Sequence, residues 1–459
     1  MNNQNNELEK AIVVGINTGN DELFNYQFNE TCNLCEALDI EVIDTLIQNL
    51  PHFNTSTYLG KGKLEELKNL VDVVNPNLVI FYDDLSPVQL KNITDYLSCE
   101  VLDRTMLILE IFKIRARTKE ASLQVEIANL NYSLPRLIGL HNNLSRTGGG
   151  GGGASGARRG SGETKLELDR RHIERKIQKA KTELEDIVKS RQTSRKSRDA
   201  SGIKTVAFVG YTNAGKSSTI NTLLRMYRTP DIDKQVFVKN MLFATLETST
   251  RAIKLPNNKE FLITDTVGFV SKLPHYLVES FKSTLEEIKE ASLIIHVIDS
   301  TSPYMELQIE TTNTVLKELG VKDIPILYAY NKVDLLPNKM FVNNKLNPSI
   351  MLSSITLEGY DVLCKSIEDT LFPDFVTCTL LLPFERGDIY NTLCNKAHVL
   401  NTEYLPEGIN VVVSLSNHLY NLYKNYEKYN FRDISFNKLK NEFLDVIACH
   451  LRFADKYFF

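Results

Sequence analysis

The 459-residue chain has no apolar run of about 18 residues, so no membrane-spanning helix is expected. Its first ten residues are polar and Asn-rich, unlike a secretory signal, so none is expected. Neither sign of charge is in large excess. The formal net charge is -4, so any surface for nucleic acid has to be local. Seven cysteines are scattered over the length, which reads as free thiols of a reducing cytoplasm rather than a disulfide framework. The one close pair, Cys32-Asn-Leu-Cys35, has no second pair or nearby histidine to complete a zinc site, and it falls beside Leu34 and Leu38 in an expected helix. The G-x-G-x-x-G of dinucleotide-binding domains is missing from the N-terminal part.

What is present is an ordinary soluble composition, 24% charged and 42% hydrophobic, over a length that suits about three domains. In residues 1–104, strands are expected at Ala11–Ile16, Glu41–Leu46, Leu78–Tyr82 and Glu100–Leu102. Helices are expected near 30–38, 61–74 and 86–97, with Asn75-Pro76 and Ser86-Pro87 as punctuation. This is a small α/β domain with a parallel sheet. Gly60-Lys61-Gly62 opens one helix and reads either as a plain turn or as an anion-holding N-terminus.

Residues 105–200 read as a helical hairpin. Leu107, Ile108, Ile111, Phe112, Leu123, Ile127 and Leu130 recur at helical spacing and predict one helix from Asp103 to about Tyr132, ended by Leu134-Pro-Arg-Leu137. A second helix is expected from about Glu163 to Arg195, its inner face marked by Leu166, Ile173, Ile177, Leu184 and Ile187. The tip, Leu144 to Gly162, holds six consecutive glycines at 148–153 together with Arg146, Arg158 and Arg159. From Arg158 to Arg198 basic residues outnumber acidic ones by about two to one. A solvated helix face is the plainer reading. Flexible glycine, arginine and a basic helix together favour contact with a phosphate backbone. Ser190 to Gly202 reads as a polar linker.

The most informative stretch is Gly210-Tyr-Thr-Asn-Ala-Gly-Lys-Ser217, which reads G-x-x-x-x-G-K-S. An apolar run, Lys204–Val209, precedes it, and a segment with Ile220, Leu223 and Leu224 on one helical face follows. Strand, glycine loop and helix form the context in which Gly210, Tyr211, Thr212, Asn213, Ala214 and Gly215 can turn backbone N–H groups onto phosphate oxygens. Lys216 can reach the outer phosphates, and the Ser217 hydroxyl can bind Mg²⁺. Asp265-Thr266-Val267-Gly268 follows another apolar strand. Its carboxylate suits a Mg²⁺-bound water and its glycine N–H suits a γ-phosphate. Between the two lies the polar stretch Phe243, Ala244, Thr245, Leu246 and Glu247, in which Thr245 is the expected second Mg²⁺ ligand while a γ-phosphate is present. Lys216, Thr245 and Gly268 are thus the residues expected to support hydrolysis, whose product would release both segments.

Asn331-Lys332-Val333-Asp334 selects the base. A carboxylate at Asp334 pairs with the ring N–H and amine of guanine, whereas adenine would leave it unpaired. Ser353, Ser354 and Ile355 follow the next strand, and the Ser354 N–H is placed to meet the guanine carbonyl. Phe269 stands where Ras-like switches have a water-orienting glutamine, so either a partner stimulates hydrolysis or another group positions the water. Asn213 reads either as a loop hydrogen-bonder or as an oxygen ligand for a monovalent cation such as K⁺. Residues 201–373 are expected to form a doubly wound P-loop GTPase domain, and 374–459 a small α+β domain with strands at 376–382 and 410–415 and helices at 384–398, 416–427 and 436–450. The fold class is therefore α/β multidomain.

These motifs resemble the HflX family of GTPases over nearly the whole chain. Leu59-Gly-Lys-Gly-Lys-Leu-Glu-Glu66, Asp103-Arg-Thr-Met-Leu-Ile-Leu-Glu-Ile-Phe112, Gln124–Leu130, Leu134-Pro-Arg-Leu137, Gly162–Glu167 and Asp169-Arg-Arg171 are similar to the family's signatures, as are the nucleotide motifs. The resemblance implies a cytoplasmic, monomeric GTPase that uses Mg²⁺ and binds the large ribosomal subunit, with the hairpin tip at rRNA. Family members split or rescue ribosomes under stress, and ribosomes stimulate their hydrolysis. A GTP-switched adaptor for another RNA or protein is the competing class. The chain departs from the family at the tip, where its glycine run is longer and Ser161 replaces a proline, and at Thr356-Leu357, where Thr-Gly is usual.

Overall fold

In the computed structural model the described residues are 8–147, 159–200, 203–227, 243, 249–255, 259–274, 277, 280–337 and 346–429. They fall into two compact units, residues 1–251 with 262–363, and residues 252–261 with 364–459.

The first unit begins with a four-stranded parallel sheet ordered β2-β1-β3-β4, formed by β1 (Glu9–Asn17), β2 (Ile40–Asn49), β3 (Leu78–Phe81) and β4 (Glu100–Asp103). β1 is an unbroken apolar run because both of its faces are covered. Ala11 and Val13 enter one core and Ile12, Val14 and Ile16 the other. Helices α1 (Asp21–Glu36), α2 (Lys61–Val74) and α3 (Pro87–Leu97) alternate with the strands. α3 starts with a reciprocal cap between Ser86 and Gln89, as its Ser-Pro entry suggests. α1 starts nine residues before the expected helix at 30–38, capped by Asn20. Cys35 is buried in it, and burial pushes its thiol up to about 12.

The single helix expected from Asp103 to Tyr132 is two helices, α4 (Arg104–Arg115) and α5 (Lys119–Thr147). Ala116 is extended and caps α4, and Thr118 Oγ1 accepts from Ala121 N–H to start α5. Pro135 does not end α5. It sits inside the helix, at the cost of the backbone hydrogen bond its missing N–H would make. The next helix, α6 (Arg159–Ala200), also runs through most of the expected linker after Ser190. α5 and α6 pair through Leu123, Ile127, Ala180, Leu184 and Ile187.

Asp103 ties these elements together. It is fully buried, and its carboxylate accepts from Met106 N–H at 2.9 Å, capping α4. It also accepts from Leu85 N–H at 3.1 Å, from Arg136 at 3.0 Å and from the Tyr132 hydroxyl. The Arg136 guanidinium lies 3.2 Å over the Tyr132 ring. The Asp and Arg of the two signatures are therefore one ion pair, with Asp103 buried and Arg136 half-buried.

A six-stranded sheet, ordered β10-β9-β8-β5-β7-β6, follows: β5 (Lys204–Val209), β6 (Ser249–Lys254), β7 (Glu260–Asp265), β8 (Leu293–Asp299), β9 (Ile326–Asn331) and β10 (Ser349–Met351). β5, β8, β9 and β10 are mutually parallel neighbours. Helices α7 (Lys216–Met226), α8 (Lys282–Lys289), α9 (Met305–Glu318) and α10 (Tyr360–Leu371) accompany it. One apolar core runs from the N-terminal sheet into this part, joining Phe24, Phe28 and Phe112 to Phe243, Val267, Phe269 and Phe281.

The second unit holds an antiparallel sheet ordered β12-β13-β11-β14, made of β11 (Phe375–Leu382), β12 (His398–Leu405), β13 (Gly408–Ser416) and β14 (Glu427–Tyr429). α11 (Gly387–Lys396) covers its core. The helix expected at 384–398 is α11, β12 lies in a stretch with no expected element, and α12 (Asn417–Tyr423) is shorter than the expected 416–427. β12 has half-buried and exposed residues without a regular alternation, broken by a register shift between Val399 and Asn401, and its Asn, Thr and Glu content gives little strand signal. Lys259 pairs with Glu368 under Phe375, its ammonium 4.3 Å from the ring. The helix expected at 436–450 lies outside the described residues.

Asp103→Ala leaves the half-buried Arg136 without its carboxylate. We expect it to cost about 3 kcal/mol in the N-terminal part, seen as a lower denaturant midpoint. A midpoint equal to wild type would show that the cluster does not hold α4 and α5 together.

Candidate nucleotide site

The phosphate-loop motif lies between the end of β5 and the start of α7, where the backbone must turn sharply. Gly210 (φ +145°) and Gly215 (φ +95°) make the turn. A Cβ at Gly210 would run into the Val297 carbonyl, and one at Gly215 into the Asn331 side chain. Asn213 adopts the left-handed region at φ +60° and is exposed, with Ala214 buried beside it. α7 has no side-chain cap. Its first N–H groups are therefore left for an anion, as at other uncapped helix starts after a glycine loop, while in the loop itself Thr212 N–H goes to the Phe269 carbonyl and Ala214 N–H to the Tyr211 carbonyl.

Lys216 is 6% exposed and its Nζ donates to the carbonyls of Gly210 at 3.0 Å and Tyr211 at 2.8 Å. Burial pushes its pKa down to about 8 against a partial upward pull from Asp265. Beneath the loop, His296 of β8 is buried. Desolvation, then the nearby Lys216 charge, push it down to about 3, so its imidazole is neutral.

Ser217 and Asp265 meet: the hydroxyl donates to Asp265 Oδ2 at 2.8 Å, and the carboxylate is fully buried at the end of β7. A hydroxyl and a carboxylate converging beside the loop are hard oxygen donors of the kind Mg²⁺ takes. Thr266 Oγ1 donates to the Phe208 carbonyl at 2.6 Å, and Val267 packs into the shared core. Gly268 lies against the loop, since a Cβ there would be 2.8 Å from Thr212 Cγ2 and 3.0 Å from Lys216 Nζ. Phe269 bridges back to the loop: its N–H donates to the Gly210 carbonyl at 3.2 Å and its carbonyl accepts from Thr212 N–H at 2.7 Å. Its ring is 2% exposed in the shared core.

The base motif sits at the end of β9. Asn331 Nδ2 donates to the Ala214 carbonyl at 3.0 Å, joining the base loop to the phosphate loop. Lys332 takes a left-handed turn (φ +65°), and its Nζ donates to Asp299 Oδ2 at 2.7 Å. Val333 is buried and Asp334 is half-buried in the short 3-10 turn that follows. Ser353 Oγ accepts from Ile355 N–H at 3.3 Å and Thr356 N–H at 3.0 Å, which shapes the loop after β10. Ser354 Oγ reaches Asn331 Oδ1 at 3.4 Å and the Tyr360 hydroxyl at 2.9 Å. Ile355 is exposed. The two serines and the Asn331–Asp334 motif thus come together although 18 residues separate Asp334 from Ser353.

Ala244, Thr245, Leu246 and Glu247 lie outside the described residues. Phe243 is described, buried, and packs edge-on against Phe112 at 4.8 Å between ring centroids. Arg146 falls near the end of α5 and Arg159 begins α6, while Arg158 and the glycines at 148–153 lie outside the described residues. Residues that the motif reading did not reach also border the site. Asp299 holds Lys332, and Tyr360 backs Ser354. Glu30 and Arg104, from the N-terminal part, meet Tyr211 and Ser271. Arg104 was visible only as the second residue of the Asp-Arg-Thr signature, and Glu30 carried no local signal.

Three family models match successive stretches: a GTP-binding GTPase N-terminal region over residues 25–113, a GTP-binding GTPase middle region over 115–198, and a 50S ribosome-binding GTPase over 205–332. The chain is 43% identical over 403 residues to a GTPase HflX from Caldanaerobacter subterraneus subsp. tengcongensis, covering 88% of this chain and 90% of that protein. It is 38% identical to a GTPase HflX from Lacrimispora saccharolytica, covering 87% and 92%. A GTP-binding protein of Sulfolobus solfataricus, solved with GDP, is 26% identical over 79% of this chain and 99% of its own, with a TM-score of 0.42. The chain belongs to the HflX family of GTPases, and it binds and hydrolyses GTP.

Proposed function

We propose that this GTPase is a nucleotide-timed factor of the large ribosomal subunit. The observation that carries the nucleotide part is the meeting of motifs far apart in sequence: Asn331 hydrogen-bonded to Ala214, and Ser217 to Asp265. The phosphates lie along Gly210, Tyr211, Thr212, Asn213, Ala214, Gly215, Lys216 and Ser217, with Lys216 at the outer ones. Guanine lies between Asn331, Lys332, Val333 and Asp334 on one side and Ser353, Ser354 and Ile355 on the other. Asp334 takes the guanine N–H groups, and the Asp299 pair keeps the Lys332 stem in place for the base face.

Ser217 and Thr245 are the proposed Mg²⁺ ligands, with Asp265 holding a metal-bound water. Bound there, the ion neutralises charge on the β- and γ-phosphates. Gly268 N–H serves the γ-phosphate, and Phe243, Ala244, Leu246, Glu247, Thr266 and Val267 complete the two segments that respond to it. Phe269 has no group to orient water, and its burial keeps it from that role. Hydrolysis therefore relies on a partner or on a cation. The exposed, left-handed Asn213 suits a K⁺ ligand as well as a loop hydrogen-bonder. The basic hairpin with Arg146, Arg158 and Arg159 is the proposed rRNA contact, acting on vacant or stalled ribosomes under stress. We take the working form as a cytoplasmic monomer. Among the described residues, no helix is long and apolar enough to cross a membrane. The description of the family model over 205–332 supports the ribosomal reading.

GTP turnover is expected to rise when purified large subunits are added, and Lys216→Ala is expected to lower it by at least about 100-fold with or without them. With a non-hydrolysable GTP analogue, the protein should cosediment with large subunits, less so as salt rises. No cosedimentation at low salt would instead favour a GTP-switched adaptor for another partner. Turnover should be faster in K⁺ than in Na⁺, and equal rates would remove the cation role of Asn213.

Lys216 adds a pH signature. With its pKa near 8 in the nucleotide-free fold and its ordinary value at 10.5, the unfolded chain holds this proton between those pH values and the fold does not. Nucleotide-free stability therefore gains from this group as pH rises through that window. Phosphates beside Nζ raise its pKa again, so GDP binding at pH 9 should take up about one proton. Calorimetry in buffers of different ionisation enthalpy measures this, and a binding enthalpy independent of buffer would contradict it.

A further inference from the structure

The segment after Gly268 is fastened to the N-terminal part by buried polar groups. Glu30 of α1 is 5% exposed and pairs with Arg104 of α4, Nη2 to Oε2 at 2.6 Å. The same carboxylate accepts from the Tyr211 hydroxyl in the phosphate loop and from the Ser271 hydroxyl. Ser271 N–H donates to the Tyr211 oxygen at 2.6 Å, and Arg104 donates to the Ser271 carbonyl at 3.2 Å. Burial and the Glu30 charge push the Tyr211 phenol far up, so it stays a donor. The next residue, Lys272, reaches the Tyr82 hydroxyl at 2.8 Å and Asp83 at 2.9 Å. Phe112 of α4 lies edge-on to both Phe243 and Phe281, with centroids 4.8 Å apart in each pair.

We propose that Glu30 is a positioning residue for the γ-phosphate of GTP: by joining Tyr211 to Ser271 it fixes Gly268 against the phosphate loop before nucleotide arrives. The proposal deepens the site reading above and rests on it. Gly268 already stands beside Lys216 Nζ. The segment that carries it is tied to the phosphate loop at Ser271 by a charge-assisted network whose cost of ordering is met on folding. GDP lacks the γ-phosphate, so the device discriminates between the two nucleotides. The N-terminal part thereby supplies one of the determinants of the GTP-bound state, and anything that moves α1 changes the GTP site.

The test uses the full chain with Glu30→Gln, Ser271→Ala and the double variant, measuring affinity for GDP and for a non-hydrolysable GTP analogue. Affinity for the analogue should fall about tenfold in each single variant, the loss expected of one charge-assisted hydrogen bond. GDP affinity should stay within about twofold, because GDP makes no contact with the segment. The double variant should fall no further than the worse single one, since both break one network. Equal losses for GDP and the analogue would overturn the proposal. So would a lower melting temperature with both affinities unchanged, or tighter binding of the analogue. Ser271→Ala removes only a hydroxyl, so it decides the matter if Glu30→Gln does not fold. If Lys216→Ala binds GDP as wild type does, the phosphate-site reading fails first and takes this proposal with it.

Discussion

A carboxylate in an apolar core must be paired, because its desolvation is not otherwise offset. Glu30 sits in such a place, among residues of one core that runs from the N-terminal sheet to the nucleotide domain. Its partners, Arg104, Tyr211 and Ser271, come from α4, from the phosphate loop and from the segment after Gly268. Apolar packing of Phe112 against Phe243 and Phe281 brings these parts together with little directional demand. The ion pair and its hydroxyls add the direction. Together they set the register between the N-terminal sheet and the nucleotide loops.

Within the nucleotide domain, a smaller set of contacts does the same for the two ends of the ligand site. Asn331 spans from the base loop to the Ala214 carbonyl, and Ser354 leans on Asn331 and Tyr360. Lys332 is held by Asp299. The loops at the ends of β5, β8, β9 and β10 therefore behave as one surface, as expected where the C-terminal ends of parallel strands face a ligand. Beneath that surface His296 is buried and neutral, and burial lowers the Lys216 pKa, which phosphate oxygens beside Nζ would raise again.

The motifs with their own local geometry were legible in the sequence. Gly210 and Gly215 are needed by the turn itself. The alternation of apolar runs with amphipathic stretches predicts the N-terminal parallel strands and most of the helices. Where neighbours decide, local pattern and structure differ. Ala116–Thr118 break an apparently continuous helical pattern, because Asp103 and Thr118 each cap a separate helix. Pro135 was read as a terminator, yet α5 continues through it. β12 gave no strand signal, because its residues include Asn401, Thr402 and Glu403 and none of them is buried.

By itself the sequence determined the chemistry: the loop with its lysine, the carboxylate that ends β7, and a base motif suited to guanine. These are legible because each depends on residue types at short, fixed spacing. Only the tertiary structure decided which distant groups serve them. Glu30 lies 181 residues before Tyr211 and 241 before Ser271, and no periodicity links such positions. Their meeting depends on the shared core burying them together, where an unpaired charge would be too costly to keep.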